Sequence, residues 1–295
     1  MAERAVSVES LAGGVALTVA LLWGASPLAT KLAVAEIDPV ATALLRTVLS
    51  APLALALIVI GGLRLPRTAG ARRYLVVSSL GGFVVFPLFF SIGLGRTSAG
   101  HASLILGVLP VLTGLIAALL ERRLPGGRWW AGCALALAGT ATLVGIRSEL
   151  SGATASGDLL VLTGAVAAAS GYVTGARAAR ETGSWPITLW GIVIGSVVLL
   201  PLLPFVVSPA ALGAAGAVAW GGILYLAVVS SIIGYAAWYW ALAHGGIGRT
   251  GLTLFLMPLF GLALALAVLD ETFTWTMAIA AVAILGGVGW ARRAS

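Results

Sequence analysis

Apolar residues in this chain do not alternate with polar ones. They run continuously for about twenty residues at a time, broken by short polar stretches. Ten such runs are visible, near 11–33, 39–60, 73–95, 98–120, 128–147, 157–179, 186–207, 217–243, 249–269 and 273–291. A helix rising 1.5 Å per residue needs ~20 residues to cross ~30 Å of hydrocarbon. Strands of a membrane barrel would be ~10 residues long and alternating, so the runs predict helices. The expected fold is therefore an all-α membrane protein of ten transmembrane helices. The connections are too short for an extramembrane domain, which argues against a separate soluble enzyme module.

Composition strengthens this reading. Of 295 residues, 60% are hydrophobic and 9% charged, whereas a soluble domain carries about 25% charged residues. The net charge of +7 would suggest nucleic acid in a soluble protein. Here the basic residues sit between apolar runs, so topology explains them and no nucleic-acid partner is expected. With the N-terminus inside, Arg4, Arg64, Arg67, Arg72, Arg73, Arg122, Arg123, Arg128, Arg177, Arg180, Arg249, Arg292 and Arg293 are cytoplasmic. Only Lys31, Arg96 and Arg147 fall outside, and Arg46 lies within a run. Both termini are thus expected in the cytoplasm of a bacterial cell, with the chain in its inner membrane. The single cysteine, Cys133, rules out a disulfide framework.

The two halves repeat. Gly100, Leu104, Leu106 and Pro110 recur as Gly248, Leu252, Leu254 and Pro258, 148 residues later. Ala25, Ser26 and Thr30 match Ala169, Ser170 and Thr174 at an offset of 144, and Ser78, Ser79 and Gly82 match Ser230, Ser231 and Gly234 at 152. Five spans per half is an odd number, so the second half would enter the membrane inverted. Inverted repeats are a hallmark of secondary transporters, because two such copies can exchange conformations around one central site.

These residues resemble the drug/metabolite transporter superfamily, in particular its EamA-type ten-helix members, among them exporters of aromatic amino acids and metabolites. The resemblance is carried by Leu22-Trp23-Gly24 with Ser26-Pro27, by Pro39 with Arg46, by Gly100 through Pro110 to Glu121, and by Gly248 through Pro258 to Asp270-Glu271. It covers nearly the whole chain. It implies two five-helix repeats, 11–147 and 157–291, between terminal tails 1–10 and 292–295 and joined by a periplasmic linker, 148–156. It also implies a basket with a central cavity walled by spans 1, 3, 4, 6, 8 and 9, with spans 5 and 10 peripheral. Gly132, Ala136 and Thr140 on span 5, and Ala283 and Gly287 on span 10, form small-residue stripes suited to close packing or to a homodimer.

Candidate solute-binding residues follow from helical spacing and from the repeat. Trp23, Ser26 and Thr30 share one face of span 1, and Ser170 and Thr174 repeat the hydroxyl pair. An aromatic wall with hydroxyls suits a solute with an apolar body and a polar head; the alternative is bonding back to the preceding helical turn. Span 8 offers Ser231, Tyr235 and Tyr239, mirrored in span 3 by Ser79, Phe83 and Phe86; an interfacial aromatic belt is the alternative there. Arg46 either binds an anionic group or snorkels to the outer interface. His101 is a proton-relay candidate without a visible acidic partner. Pro110 and Pro258 should bend spans 4 and 9 near mid-membrane. All ten acidic residues lie in termini, loops or span ends, so coupling through a membrane carboxylate is not expected. No nucleotide motif or metal-ligand cluster occurs, and no cofactor or metal is expected. The expected function is a secondary transporter, an exporter of a small amphipathic metabolite such as an amino acid, working by alternating access through a central cavity. A channel-like facilitator and an intramembrane enzyme acting on lipid-linked substrates are the alternatives.

Overall fold

The computed structural model describes residues 2–94, 96–97, 99–147, 154–268 and 274–294. Its helical stretches, labelled in chain order, are α1 (Ala2–Val34), α2 (Pro39–Ile60), α3 (69–94), α4 (99–121), α5 (Gly127–Arg147), α6 (Ala155–Thr182), α7 (Ser184–Val206), α8 (Ala217–Gly245), α9 (247–268) and α10 (Trp275–Arg292). Among the described residues, α1, α2, α3, α6, α7, α8 and α10 are long and apolar enough to cross a membrane. The regular apolar helices within α4 and α9 are shorter, Leu109–Glu121 and Ile247–Ala263. Asp270, Glu271 and the central part of the expected linker, 148–153, lie outside the described residues. The helix of α1 begins at Ala2, inside the stretch read from sequence as a tail.

Local chemistry sets the helix ends. The Asp38 carboxylate accepts the N–H groups of Val40 and Ala41, with Pro39 in the first turn of α2, where its missing N–H costs nothing. Thr68, Thr154 and Thr274 cap α3, α6 and α10 in the same way. Single glycines join α6 to α7 and α8 to α9. Gly183 has φ 92° and Gly246 has φ 81°, a region open to glycine at little cost, so the chain reverses direction within one residue.

Among the described residues, six of the helices are interrupted inside their length; α2 breaks at Leu49 and α7 passes through a 3-10 segment, Leu200–Leu202. In α3 the segment Leu80–Val85 is π-helical, and so is Tyr225–Gly234 in α8. In α4 the helix breaks at Val108, just ahead of Pro110. In α9 a 3-10 segment, Leu252–Leu256, precedes Pro258. The prolines thus sit where the sequence predicts bends, and the cause is the usual one: proline has no N–H to continue the ladder and disfavours helix just before it.

In lipid no hydrophobic force draws helices together, so close approach of backbones does that work. Along α6, Ala165, Ala168, Ala169 and Ala176 are fully buried. A Cβ on Gly81 of α3 would lie 2.4 Å from the Ala167 carbonyl of α6. The stripes on α5 and α10 pack against each other within the chain. A Cβ on Gly132 would lie 2.5 Å from the Ala291 nitrogen, and one on Gly287 would lie 2.5 Å from the Ala136 nitrogen. Gly132 and Gly287 are thus engaged in packing inside the chain. The α5–α10 face tests this. Gly132→Leu should lower stability by ~1–3 kcal/mol through overpacking, whereas Gly286→Leu, whose Cβ meets nothing within 4 Å, should leave it unchanged; thermal unfolding in detergent distinguishes them.

Candidate functional site

The interruptions in α3 and α8 position the site. A π-helical turn widens the ladder and leaves carbonyls pointing at neighbours, a pattern frequent at functional sites. Three carbonyls of the α8 segment are taken by side-chain donors. Leu226 O accepts from Ser231 Oγ at 2.8 Å, Ala227 O from Ser50 Oγ of α2 at 2.9 Å, and Ser230 O from the Trp23 indole of α1 at 3.1 Å. In α3, Pro87 cannot donate to Phe83 O, and Thr47 Oγ1 of α2 supplies that bond at 3.3 Å. Tyr235 Oη donates to Gly82 O at 3.2 Å.

Around these bonds six rings gather. Trp23 stacks on Tyr172 of α6 with centroids 5.6 Å apart and an interplanar angle of 20°. Tyr235 packs on Trp23 at 5.2 Å and on Phe83 at 4.5 Å, and Trp238 lies 5.6 Å from Trp23. Tyr239 meets the edge of Tyr235 at 5.6 Å, and its hydroxyl lies 2.7 Å from Ser78 Oγ. All six are buried. The Trp238 indole nitrogen is buried without a hydrogen-bond partner.

Two glycines make room for these rings. A Cβ on Gly82 would lie 3.1 Å from the Tyr235 ring, and one on Gly234 would lie 2.6 Å from Trp23 Nε1. These are the same two glycines that the sequence repeat pairs at an offset of 152. Each repeat therefore lends a bare backbone position in its third helix to an aromatic ring. Gly24, next to Trp23, does the same for α9, since its Cβ would lie 3.0 Å from Met257 O, beside Pro258.

A polar group adjoins the rings. Arg46 Nη2 donates to Ser230 Oγ at 3.3 Å and to Ser231 Oγ at 3.4 Å, and Ser26 Oγ donates to Ser230 Oγ at 3.3 Å. Ser230 and Ser231 lie midway along α8, so the guanidinium turns into the bundle rather than snorkelling outward. Arg46 and Ser26 keep some accessible surface although their bonds run inward, so the polar group is not sealed.

The structure thus brings together Trp23, Phe83, Tyr235 and Tyr239 as one aromatic group, and Ser26, Ser231 and Arg46 as the polar one. Other candidates go elsewhere. Thr30 bonds to Ser26 O, Ser170 to Val166 O and Thr174 to Ser170 O, all within their own helices. Ser79 bonds to Gly191 O of α7, and Phe86 packs against Phe90. Pro110 and Pro258 mark the breaks in α4 and α9. The side chain of His101 lies outside the described residues. Tyr172 and Ser50 escape the sequence reading because neither takes part in the repeat matches; the only signal for Tyr172 is a lone tyrosine between Ser170 and Thr174.

One end of the bundle is clasped by ion pairs. Arg249 of α9 meets Glu9 of α1 at 3.2 Å, and Arg177 of α6 meets Glu121 of α4 at 3.7 Å. Both join one half of the chain to the other, and a cavity of about 550 Å³ at this end is lined by Glu9, Glu121, Arg180 and Arg249. Pairs this exposed contribute at most ~1 kcal/mol each.

The glycine pairing gives an ordered expectation. Gly234→Ala should destabilise by ~1–3 kcal/mol, because Trp23 is packed against Tyr172, Tyr235 and Trp238 and has nowhere to retreat. Gly82→Ala, with its looser contact, should cost less, and Gly248→Ala, whose Cβ meets nothing within 4 Å, should be silent. Thermal unfolding of the three purified variants gives the order.

Comparison with known proteins agrees with this architecture. The EamA-like transporter family matches residues 11–145 and again 155–292. The chain is 32% identical over 276 residues to "Uncharacterized transporter YdeK" of Bacillus subtilis, covering 92% of this chain and 94% of that one. It is 30% identical to the "Probable amino-acid metabolite efflux pump" of Salmonella typhimurium, over 94% and 93% of the two chains. It is 28% identical to the "Probable terminal-alkyne amino-acid exporter" of Streptantibioticus cattleyicolor, over 71% and 69%. A solved crystal structure shares the fold with a TM-score of 0.78 at 21% identity, over 96% of this chain and 97% of the other. With two copies of the family's domain and relatives that are transporters by name, this chain belongs to the EamA-like transporter family.

Proposed function

We propose that this protein is a secondary exporter of a small amphipathic metabolite, an amino acid or a related compound, working by alternating access. It crosses a bacterial inner membrane ten times, with both termini cytoplasmic and the two repeats inverted. The repeats run 11–147 and 157–291, with tails 1–10 and 292–295 and the linker 148–156 on the periplasmic side. The observation that carries this reading is the mid-bundle site, where an aromatic wall (Trp23, Tyr172, Tyr235) adjoins a polar group (Ser26, Arg46, Ser230, Ser231). Such a pair of surfaces suits a solute with an apolar body and a polar head. Two relatives named for amino-acid or metabolite export support the solute class. The ion pairs Arg249–Glu9 and Arg177–Glu121 close the cytoplasmic end in this reading and part when the site turns inward.

Uptake of labelled amino acids into proteoliposomes, with and without a pH gradient, tests the reading. Saturable uptake with counter-transport, indifferent to the gradient, is expected. Ser26→Ala, at a half-buried position, should lower kcat/KM by about tenfold with folded protein retained, since it removes a hydroxyl of the polar group. Uptake that never saturates would instead mark a channel, and no uptake of any member a non-transporting protein.

A further inference from the structure

We infer that Arg46 is the anchor for a carboxylate on the solute, so that this carrier takes anionic or zwitterionic amphipathic molecules and rejects their cationic counterparts. The inference rests on the transport reading of the same site and adds the substrate class.

The argument starts from an unmet need. A guanidinium carries five N–H donors in a fork that fits a carboxylate side-on. In the structure its hydrogen bonds are to Ser230 Oγ and Ser231 Oγ, at 3.3 and 3.4 Å. Both are long, both are to neutral hydroxyls, and both come from one nitrogen. A charge at membrane depth ordinarily pairs with an opposite charge.

The acidic side chains that the structure describes are engaged at the helix ends. Glu9 and Glu121 pair with Arg249 and Arg177. Glu36 accepts from Gly216 N, Asp158 from Thr97 and Glu181 from Thr68. Asp38 caps the helix that carries Arg46, eight residues away, or ~12 Å along its axis. None of these contacts reaches the guanidinium. Among the described residues no carboxylate therefore faces the guanidinium, and the solute can bring one.

The surroundings define the rest of the molecule. Arg46 lies near Tyr172 and Tyr235, and those rings belong to the wall formed with Trp23. A carboxylate on Arg46 would place an apolar body against that wall. A cation in the same place would meet the guanidinium charge with no acid to offset it.

Matched molecules that differ only at the charged group test this. L-Phenylalanine, 3-phenylpropanoate and phenethylamine are each added to the purified protein at neutral pH, and thermal stabilisation is measured. Labelled phenylalanine flux is followed in proteoliposomes. The acid and the amino acid should stabilise the protein and the amine should not. Arg46→Gln should abolish that stabilisation and lower kcat/KM for phenylalanine by about tenfold or more, with Arg46→Lys keeping part of both.

Stabilisation by the amine equal to that by the acid would overturn the inference. So would an absence of stabilisation by all three, or Arg46→Gln flux at the wild-type rate; in the last case the transport reading stands alone. Carboxylate stabilisation lost in Arg46→Gln without wild-type flux would uphold the anchor and sink the transport reading. If Arg46→Gln does not yield monodisperse protein, the acid-against-amine comparison on the wild type still decides.

Discussion

Everything at the centre of this protein depends on one requirement: in hydrocarbon, each backbone carbonyl freed from its helix must find a donor inside the protein. The π-helical turns of α3 and α8 free such carbonyls in the middle of the bundle. Trp23, Thr47, Ser50, Ser231 and Tyr235 supply the donors. Those bonds tie α1, α2, α3 and α8 together at one level. The aromatic group and the polar group lie there because the donors carry rings and hydroxyls with them. The site is thus a by-product of satisfying backbone, since five carbonyls of these two segments accept from side chains.

Pseudo-symmetry makes the arrangement affordable in conformational terms. Gly82 and Gly234 hold equivalent places in the two repeats, and each receives a ring that a side chain would exclude. The rings differ, Tyr235 in one case and Trp23 in the other, so the copies are similar in backbone and different in chemistry. That difference is what a repeat must have if it is to keep two related conformations yet bind one solute. The peripheral pair α5 and α10 packs glycine against backbone, while α3, α4, α8 and α9 carry interruptions and α1, α4, α6 and α9 carry the ion pairs that join the halves.

Charge is distributed on the same logic. Acidic side chains in the described residues stay at helix ends, where they cap helices or pair with arginines. Among the described residues Arg46 turns into the middle, held by two serines. A guanidinium thus lies beside the aromatic group at mid-bundle.

The sequence by itself determined the class of fold. Continuous apolar runs of helix-spanning length can be satisfied only by helices in a membrane, and the recurrence of Gly100 to Pro110 as Gly248 to Pro258 exposed the repeat. Trp23, Tyr235, Arg46 and Ser231 were legible because they broke local pattern: bulky, hydroxylated or charged residues inside apolar runs. Tertiary structure alone decided which of those residues meet. Ser26 and Thr30 share a helix face, yet only Ser26 reaches across to Ser230, while Thr30 bonds back to its own turn. Helical periodicity places a side chain on a face but says nothing of what stands opposite. The π-helical turns were equally hidden, because they arise from a balance between ladder bonds and donors on other helices, and no local run of residues encodes that balance.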